Sequence, residues 1–181
     1  MDYFESIAKS LLERDGYWVR QSFKVNLSPE QKRSIAPEKF SIPRPEIDLL
    51  ALSVGRTEVV AFEVKSFFDS GGTAYSDFST MFEVPQGRYK LFTCVRYRDI
   101  VLGQLHKDLV AKQLIHDNVK IRLGLIVGNA KKVDVPDIRK HFDDNGWVFW
   151  SPEDVKAKVE CFAAEGYEND PAVITAKILK R

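Results

Sequence analysis

Two acidic residues and a lysine, Asp48, Glu63 and Lys65, lie within two otherwise apolar runs at residues 47–54 and 58–66. Carboxylate oxygens are ligands that Mg²⁺ prefers, and Mg²⁺ leaves coordination positions for a phosphate oxygen and an attacking water. A lysine ammonium beside them can orient or deprotonate that water and stabilise negative charge in the transition state. If the three side chains converge, they predict hydrolysis of a phosphodiester bond with Mg²⁺, or with Mn²⁺ as its substitute.

Convergence depends on how the two apolar runs pair. Gly55 and Arg56 between them suit a two-residue type II′ turn, so a β-hairpin is predicted. In that hairpin the numbers of paired residues keep a constant sum, which places Asp48 opposite Glu63. Lys65 is two residues from Glu63 on the same strand and points to the same face. Two carboxylates facing each other on an apolar surface repel, and a divalent cation relieves that repulsion.

The same residues also have a simpler interpretation. A Glu-x-Lys triplet is common on exposed edge strands, where it is a solubilising charge pair, and the hairpin register places Glu46 opposite Lys65. Two observations favour a site. The acidic position lies within two runs that are otherwise apolar on both faces, and the register follows from the chemistry of the turn.

The rest of the chain supplies the elements that must position the hairpin. Apolar spacing predicts a helix with Asp2 as N-cap and Gly16 just beyond its end, a strand at residues 17–27, and a long proline-bounded loop or insertion at 29–45. Residues 67–87 carry no clear pattern. Further helices are predicted at residues 98–115, 136–142, from 152 onward and 172–179, and further strands at 119–127 and 147–150. This order predicts an α/β domain with a mixed sheet, an antiparallel meander plus parallel strands, flanked by helices.

A short pattern in the hairpin resembles the signature of the PD-(D/E)xK, or restriction-endonuclease-like, nuclease superfamily: Pro45-Glu46-Ile47-Asp48, fourteen residues, then Glu63-Val64-Lys65. The core of that superfamily is a helix, a three-stranded antiparallel meander, a helix and a further strand, the same order as predicted above. The resemblance covers about the first two-thirds of the chain. A single nuclease-like domain over residues 1–181 is expected, with a core of about 1–128 and a C-terminal α/β extension of about 129–181.

The resemblance implies a role for each residue of the pattern. Asp48 and Glu63 are the expected metal ligands, together with the main-chain carbonyl of Val64, and Lys65 is the expected catalytic lysine. The pattern departs from that of the family at one position, because the acid directly after the proline is Glu46. Glu46 is therefore an alternative ligand, and Asp48 is preferred because Glu46 lies nearer the end of the strand.

Two residues outside the hairpin are further candidates by the same resemblance. Many members carry an acid on the first helix, and Glu5 is the candidate metal ligand there. Many also carry a glutamine on the helix after the lysine strand, and Gln104 is the candidate catalytic residue there. The helix dipole explains Glu5 equally well, and a solvated helix position is the commoner explanation of Gln104.

Composition limits the remaining functions. The chain has 27 Lys plus Arg against 26 Asp plus Glu, a formal net charge of +1, so DNA binding must depend on local charge. Two distant cysteines do not support a disulfide framework, a zinc site or a four-cysteine iron–sulfur cluster, and no GxGxxG, P-loop or GxSxG pattern occurs. The acidic N-terminus and the absence of a long apolar run predict a soluble cytoplasmic protein without membrane contact.

Basic residues near the predicted site are the expected contacts to DNA. They form two groups: Arg88, Lys90, Arg96 and Arg98, and Lys32, Arg33, Lys39 and Arg44. Because the net charge is close to zero, a second copy of the chain or a partner subunit is a candidate source of further DNA contacts. The alternative function is a non-catalytic nucleic-acid- or protein-binding module that retains the nuclease fold.

Overall fold

The computed structural model describes residues 3–37, 42–53, 55, 57–164, 166 and 168–180. This part of the chain forms seven helices and five strands: α1 Tyr3–Arg14, β1 Trp18–Lys24, α2 Pro29–Ile35, β2 Glu46–Ser53, β3 Glu58–Lys65, α3 Lys90–Thr93, α4 Val95–Ala111, β4 Lys120–Val127, α5 Val135–Asp144, β5 Val148–Trp150, α6 Pro152–Ala164 and α7 Pro171–Leu179. The strands form one sheet in the order β1-β2-β3-β4-β5. The first three strands pair antiparallel and the last two join in parallel, so the predicted mixed α/β sheet is confirmed.

Helices cover both faces of this sheet. On one face α1, α6 and α7 pack against a layer that includes Leu49 and Phe62. On the other face α4 and α5 bury Leu105 and Phe142 against residues that include Leu125. All five side chains are buried. Strands covered on both sides require apolar residues on both sides, which explains why β2 and β3 are apolar almost throughout.

The first helix has the predicted extent. Phe4, Ala8 and Leu12 are buried on its sheet-facing side. Gly16 follows with φ +88°, and the Tyr17 N–H donates to the Leu12 carbonyl, which closes the end of the helix. The predicted N-cap, Asp2, lies outside the described residues.

The prediction of a long loop at residues 29–45 is wrong in part, because the segment begins with a helix. The hydroxyl of Ser28 accepts the Gln31 N–H at 3.2 Å, and the Gln31 side chain accepts the Ser28 N–H at 2.8 Å. This capping box, with Pro29 in the first turn, starts α2. The helix buries Ile35 but has only seven residues, too few for a clear apolar period.

The other predicted helices and strands are present, with shifted ends. The fourth helix begins at Val95 and ends at Ala111, and the short helix α3 precedes it. Residues 67–87, which carried no pattern, contain one short 3₁₀ turn at Tyr75–Asp77 and no longer element. No helix in the described part of the chain is long and apolar enough to cross a membrane.

A polar network around the buried Asp108 holds α2 and the segment after β1 against α4. Asp108, on α4, accepts the Asn26 N–H at 2.8 Å with one carboxylate oxygen and the Gln104 amide at 2.8 Å with the other. Gln104 in turn accepts from the Gln31 side chain at 3.1 Å. Asp108 is only 8% exposed, and the Asn26 and Gln104 donors satisfy both of its carboxylate oxygens.

Asp108→Ala is expected to lower the free energy of unfolding by about 1–3 kcal/mol, because it removes a buried carboxylate that accepts two hydrogen bonds between separate elements. Urea denaturation measures the effect. Asp99→Ala, at an exposed position of the same helix, is the matched control and is expected to change stability little. Equal unfolding midpoints for the two variants would show that the network does not support the fold.

Candidate active site

The β2–β3 hairpin has the predicted register. Leu49 pairs with Phe62 and Ser53 pairs with Glu58, and the three pairs between them continue the same antiparallel register. Of the two predicted turn residues, Arg56 lies outside the described part of the chain. Continued by one residue beyond Leu49, this register sets position 48 opposite position 63.

Strand β2 is irregular at Asp48. The pairing of β1 with β2 skips Ser22, the residue in register with Asp48, and Ser22 has φ +53°. The pairing of β2 with β3 stops at Leu49. Asp48 makes up part of the lost pairing with its side chain, because its Oδ2 accepts the Val64 N–H at 2.8 Å. The carboxylate is thereby fixed against the backbone of β3.

Lys65 joins the two acidic residues. Its Nζ lies 2.9 Å from Glu63 Oε1 and 3.2 Å from Asp48 Oδ2. The three side chains are recessed, with exposed fractions of 22% for Lys65, 19% for Asp48 and 17% for Glu63. The predicted convergence of these side chains at the end of β3 is present in the structure.

One ammonium faces two carboxylates in this cluster, and burial opposes the ionisation of Glu63. Burial raises the pKa of the Glu63 carboxyl; the Lys65 ammonium opposes the rise and the Asp48 carboxylate adds to it. Burial alone lowers the pKa of Lys65, but the two carboxylates outweigh it, so the net pKa is raised. Lys65 is therefore held as a cation, while Glu63 keeps an unfavourable negative charge that a further cation would stabilise.

The oxygen donors of the cluster suit a divalent cation. The N–H and C=O of one strand residue point to the same side, so the Val64 carbonyl faces the side on which Asp48 accepts the Val64 N–H. Two carboxylates and a carbonyl are the hard donors that Mg²⁺ and Mn²⁺ prefer, and Mg²⁺ is commonly held by one or two carboxylates and several waters. Among the described residues, no group of three or more His, Cys, Asp or Glu side chains could hold a metal ion.

Glu5 is therefore not brought into one group with Asp48 and Glu63. It lies on α1, whose buried side packs against the face of the sheet that carries the Val64 side chain. Glu63 and Lys65 line a cavity with Tyr97 on the other face. The helical spacing placed Glu5 beside the core, but it did not show which face of the sheet the helix covers.

Gln104 is occupied elsewhere. Both ends of its amide are used within the network described above, with Gln31 on α2 and Asp108 on α4. These bonds give Gln104 a role in packing the two helices, and its catalytic role stays a prediction. The sequence offered no sign of this network, because its partner helix α2 was not predicted.

Glu46 does not compete for Lys65. Its carboxylate lies 3.8 Å from Lys24 Nζ, on the neighbouring strand β1. The simpler interpretation, in which Lys65 pairs with Glu46, is wrong because β2 diverges from β3 beyond Leu49 and the Asp48 carboxylate comes nearer.

A cavity of about 930 Å³ opens beside the cluster. One wall contains residues 35–37 and 42–46, among them Ile35 and Arg44. The other contains residues between Val84 and Tyr97. Glu63 and Lys65 line the same cavity. Most apolar residues of these walls were not predicted as part of a site. The closely spaced prolines before β2 indicated an irregular segment at this position, but not a cavity.

Some of the predicted basic residues line this cavity, and others form hydrogen bonds that hold helices together. Arg44, Arg88 and Lys90 line the cavity. Arg96 instead donates to the Ser34 hydroxyl at 3.0 Å, and Arg98 donates to main-chain carbonyls of α3, including that of Phe92 at 3.2 Å. The basic residues fixed in this way support the packing of α2 and α3 on α4. Lys39 lies outside the described residues.

Compared with protein-family models, with curated proteins and with solved structures, the chain matches none. Its function is therefore inferred from the chemistry of the site.

Proposed function

We propose that this protein is a metal-dependent nuclease of the PD-(D/E)xK type, which hydrolyses DNA phosphodiester bonds with Mg²⁺ or, as a substitute, Mn²⁺. The observation that carries the proposal is the recessed cluster in which Lys65 contacts both Asp48 and Glu63 at the end of β3. Such a cluster is costly for stability alone, because buried carboxylates without full compensation oppose folding. A catalytic function explains why it is present.

The residues of the cluster have separate tasks. Asp48, Glu63 and the Val64 carbonyl would hold the metal. Mg²⁺ held there would supply a Lewis acid for a phosphoryl oxygen and would lower the pKa of a coordinated water. Lys65, kept cationic by its two carboxylate neighbours, is better suited to orienting water and stabilising transition-state charge than to abstracting a proton.

The charge around the cluster supports a phosphate-containing substrate. Among the residues that the structure describes, the charged ones that line the cavity are four cations, Arg44, Lys65, Arg88 and Lys90, against two acids, Glu46 and Glu63. The whole chain, in contrast, has almost equal numbers of the two signs. Positive charge is thus concentrated where the scissile phosphate would bind, as phosphate recognition requires.

Labelled DNA incubated with the purified protein tests the proposal. Single-stranded and duplex forms are each followed with Mg²⁺, with Mn²⁺ and with EDTA. Cleavage of at least one form is expected with either metal and none with EDTA. If the folded protein cleaves neither form in the presence of metal, the nuclease proposal is contradicted and the alternative, a binding module without catalysis, is favoured.

A further inference from the structure

The cavity beside the cluster is a recess whose inner surface carries the reactive groups. Glu63 and Lys65 are only 17% and 22% exposed, yet both line the cavity. Apolar side chains form much of the two walls, among them Ile42 and Val84. A substrate that reaches Glu63 and Lys65 through this cavity therefore contacts these walls.

The size of the recess restricts what can enter. Cavities of about 300–1,000 Å³ enclose one small ligand, and this one, at about 930 Å³, is near the upper end of that range. A few linked nucleotides of one strand fit such a volume. A duplex matches it less well, because its bases are stacked and paired inside the helix and their faces are not available to the apolar walls.

The chemistry of the walls also fits an unpaired strand. Apolar surface binds the faces of bases that are not stacked within a duplex, and exposed cations bind the phosphates between them. Arg88 lies over the Phe67 ring at 5.3 Å and Lys90 lies over the Tyr97 ring at 5.1 Å. These contacts hold both cations at the cavity, where they are ordered before a phosphate arrives.

We infer that the substrate of this site is an unpaired DNA strand, which enters the recess with its bases against the apolar walls and its phosphates on Arg44, Arg88 and Lys90. The inference rests on the proposed nuclease function and specifies its substrate. Duplex DNA is a substrate only where an end or a flap leaves a strand unpaired.

Two exposed valines provide a matched test. Val84 is 55% exposed and lines the cavity, whereas Val133 is 83% exposed and does not line it. Val84→Asp places a negative charge where phosphates would pass, and Val133→Asp makes the same change elsewhere. Both positions are open to solvent, so neither substitution is expected to prevent folding.

Binding of fluorescently labelled oligonucleotides is measured by anisotropy in EDTA at low salt, so that cleavage does not interfere. The wild type is expected to bind a single strand about tenfold more tightly than a blunt duplex of the same sequence. Val84→Asp is expected to weaken single-strand binding by about three- to tenfold, and Val133→Asp by less than about twofold.

Three results would overturn the inference: duplex bound as tightly as the single strand, equal losses in the two variants, or no binding of either form. A parallel incubation with Mn²⁺ separates this inference from the nuclease proposal. Cleavage without preference for the single strand contradicts only the substrate assignment. A single strand that is bound preferentially and left intact contradicts the nuclease proposal and leaves the binding assignment in place.

Discussion

Lys65→Ala is expected to lower the rate of metal-dependent DNA cleavage by about 10²–10³-fold, because it removes a preorganised cation from the position where negative charge develops. Metal affinity is expected to be kept or increased. In the wild type the Lys65 ammonium occupies the same carboxylate oxygens, 2.9 Å from Glu63 and 3.2 Å from Asp48, that would bind the metal. Single-turnover cleavage and a Mn²⁺ titration measure the two properties separately.

Lys156→Ala is the matched control for this loss of charge. Lys156 lies on α6, is 75% exposed, and its ion pair with Glu160 spans 3.9 Å. We expect its cleavage rate to stay within about twofold of the wild type, because an exposed charge pair contributes little. If Lys65→Ala also retains a near wild-type rate, the lysine is a structural counter-ion of the two carboxylates and not a catalytic residue.

Without metal, neutralising one carboxylate and neutralising the other are expected to change the free energy of unfolding in opposite directions. Asp48→Asn removes the negative charge from Oδ2, the one oxygen that accepts both the Val64 N–H and the Lys65 ammonium, and we expect a loss of about 1–3 kcal/mol in the free energy of unfolding. Glu63→Gln removes a buried charge whose ionisation burial opposes, and we expect equal or higher stability at neutral pH.

The pH dependence of Glu63→Gln tests this assignment. The pKa of Glu63 is raised above its ordinary value of 4.5, so the folded state binds this proton more readily than the unfolded state. Its contribution to stability is therefore fully present below about pH 4.5 and decreases as the pH rises through the folded-state pKa. Glu63→Gln is expected to remove this component. Urea denaturation of both proteins across that range measures it, and identical pH profiles would contradict the assignment.

Added metal is expected to stabilise the wild type more than either variant. An ion that binds only the folded state adds about 2.7 kcal/mol when its concentration is a hundred times Kd. Asp48→Asn and Glu63→Gln each remove one of the two carboxylates, so both should lose most of this gain. Melting curves in EDTA and in Mn²⁺ measure the shift, and equal shifts in all three proteins would place the metal elsewhere.

The hairpin was predictable because its determinants are local. The two apolar runs lie so close in sequence that a short turn must join them, and the register of the hairpin fixes which side chains share a face. The turn itself differs from the predicted two-residue type II′ turn, because regular pairing ends at Ser53 and Glu58 and Thr57 has φ +52°. The convergence of the Asp48, Glu63 and Lys65 side chains could therefore be predicted from the sequence. The irregularity at Asp48 was not predictable, because it depends on Ser22 of the neighbouring strand leaving the regular pairing.

Contacts between distant elements could not be predicted in the same way. The capping box that begins α2 was visible in the sequence, but the prolines around it favoured a loop. Without that helix, the partner of Gln104 was unknown, and the residue was assigned to the site by resemblance alone. Glu5 was assigned by resemblance for a related reason: an amphipathic pattern shows that a helix has a buried side, and not which face of the sheet that side covers. Its role as a metal ligand stays a prediction.

The central claim, that Asp48, Glu63 and Lys65 form a metal-dependent nuclease site, is tested most directly with Glu63→Gln, because this variant is expected to keep its fold. Wild type and variant are purified in parallel and compared on a labelled single strand with Mn²⁺ and with EDTA. We expect the wild type to cleave with Mn²⁺ only, and the variant, with an equal or higher Tm in EDTA, to show no metal-dependent cleavage. Metal-dependent cleavage of equal rate in both proteins would contradict the claim, because the activity would then not depend on this carboxylate.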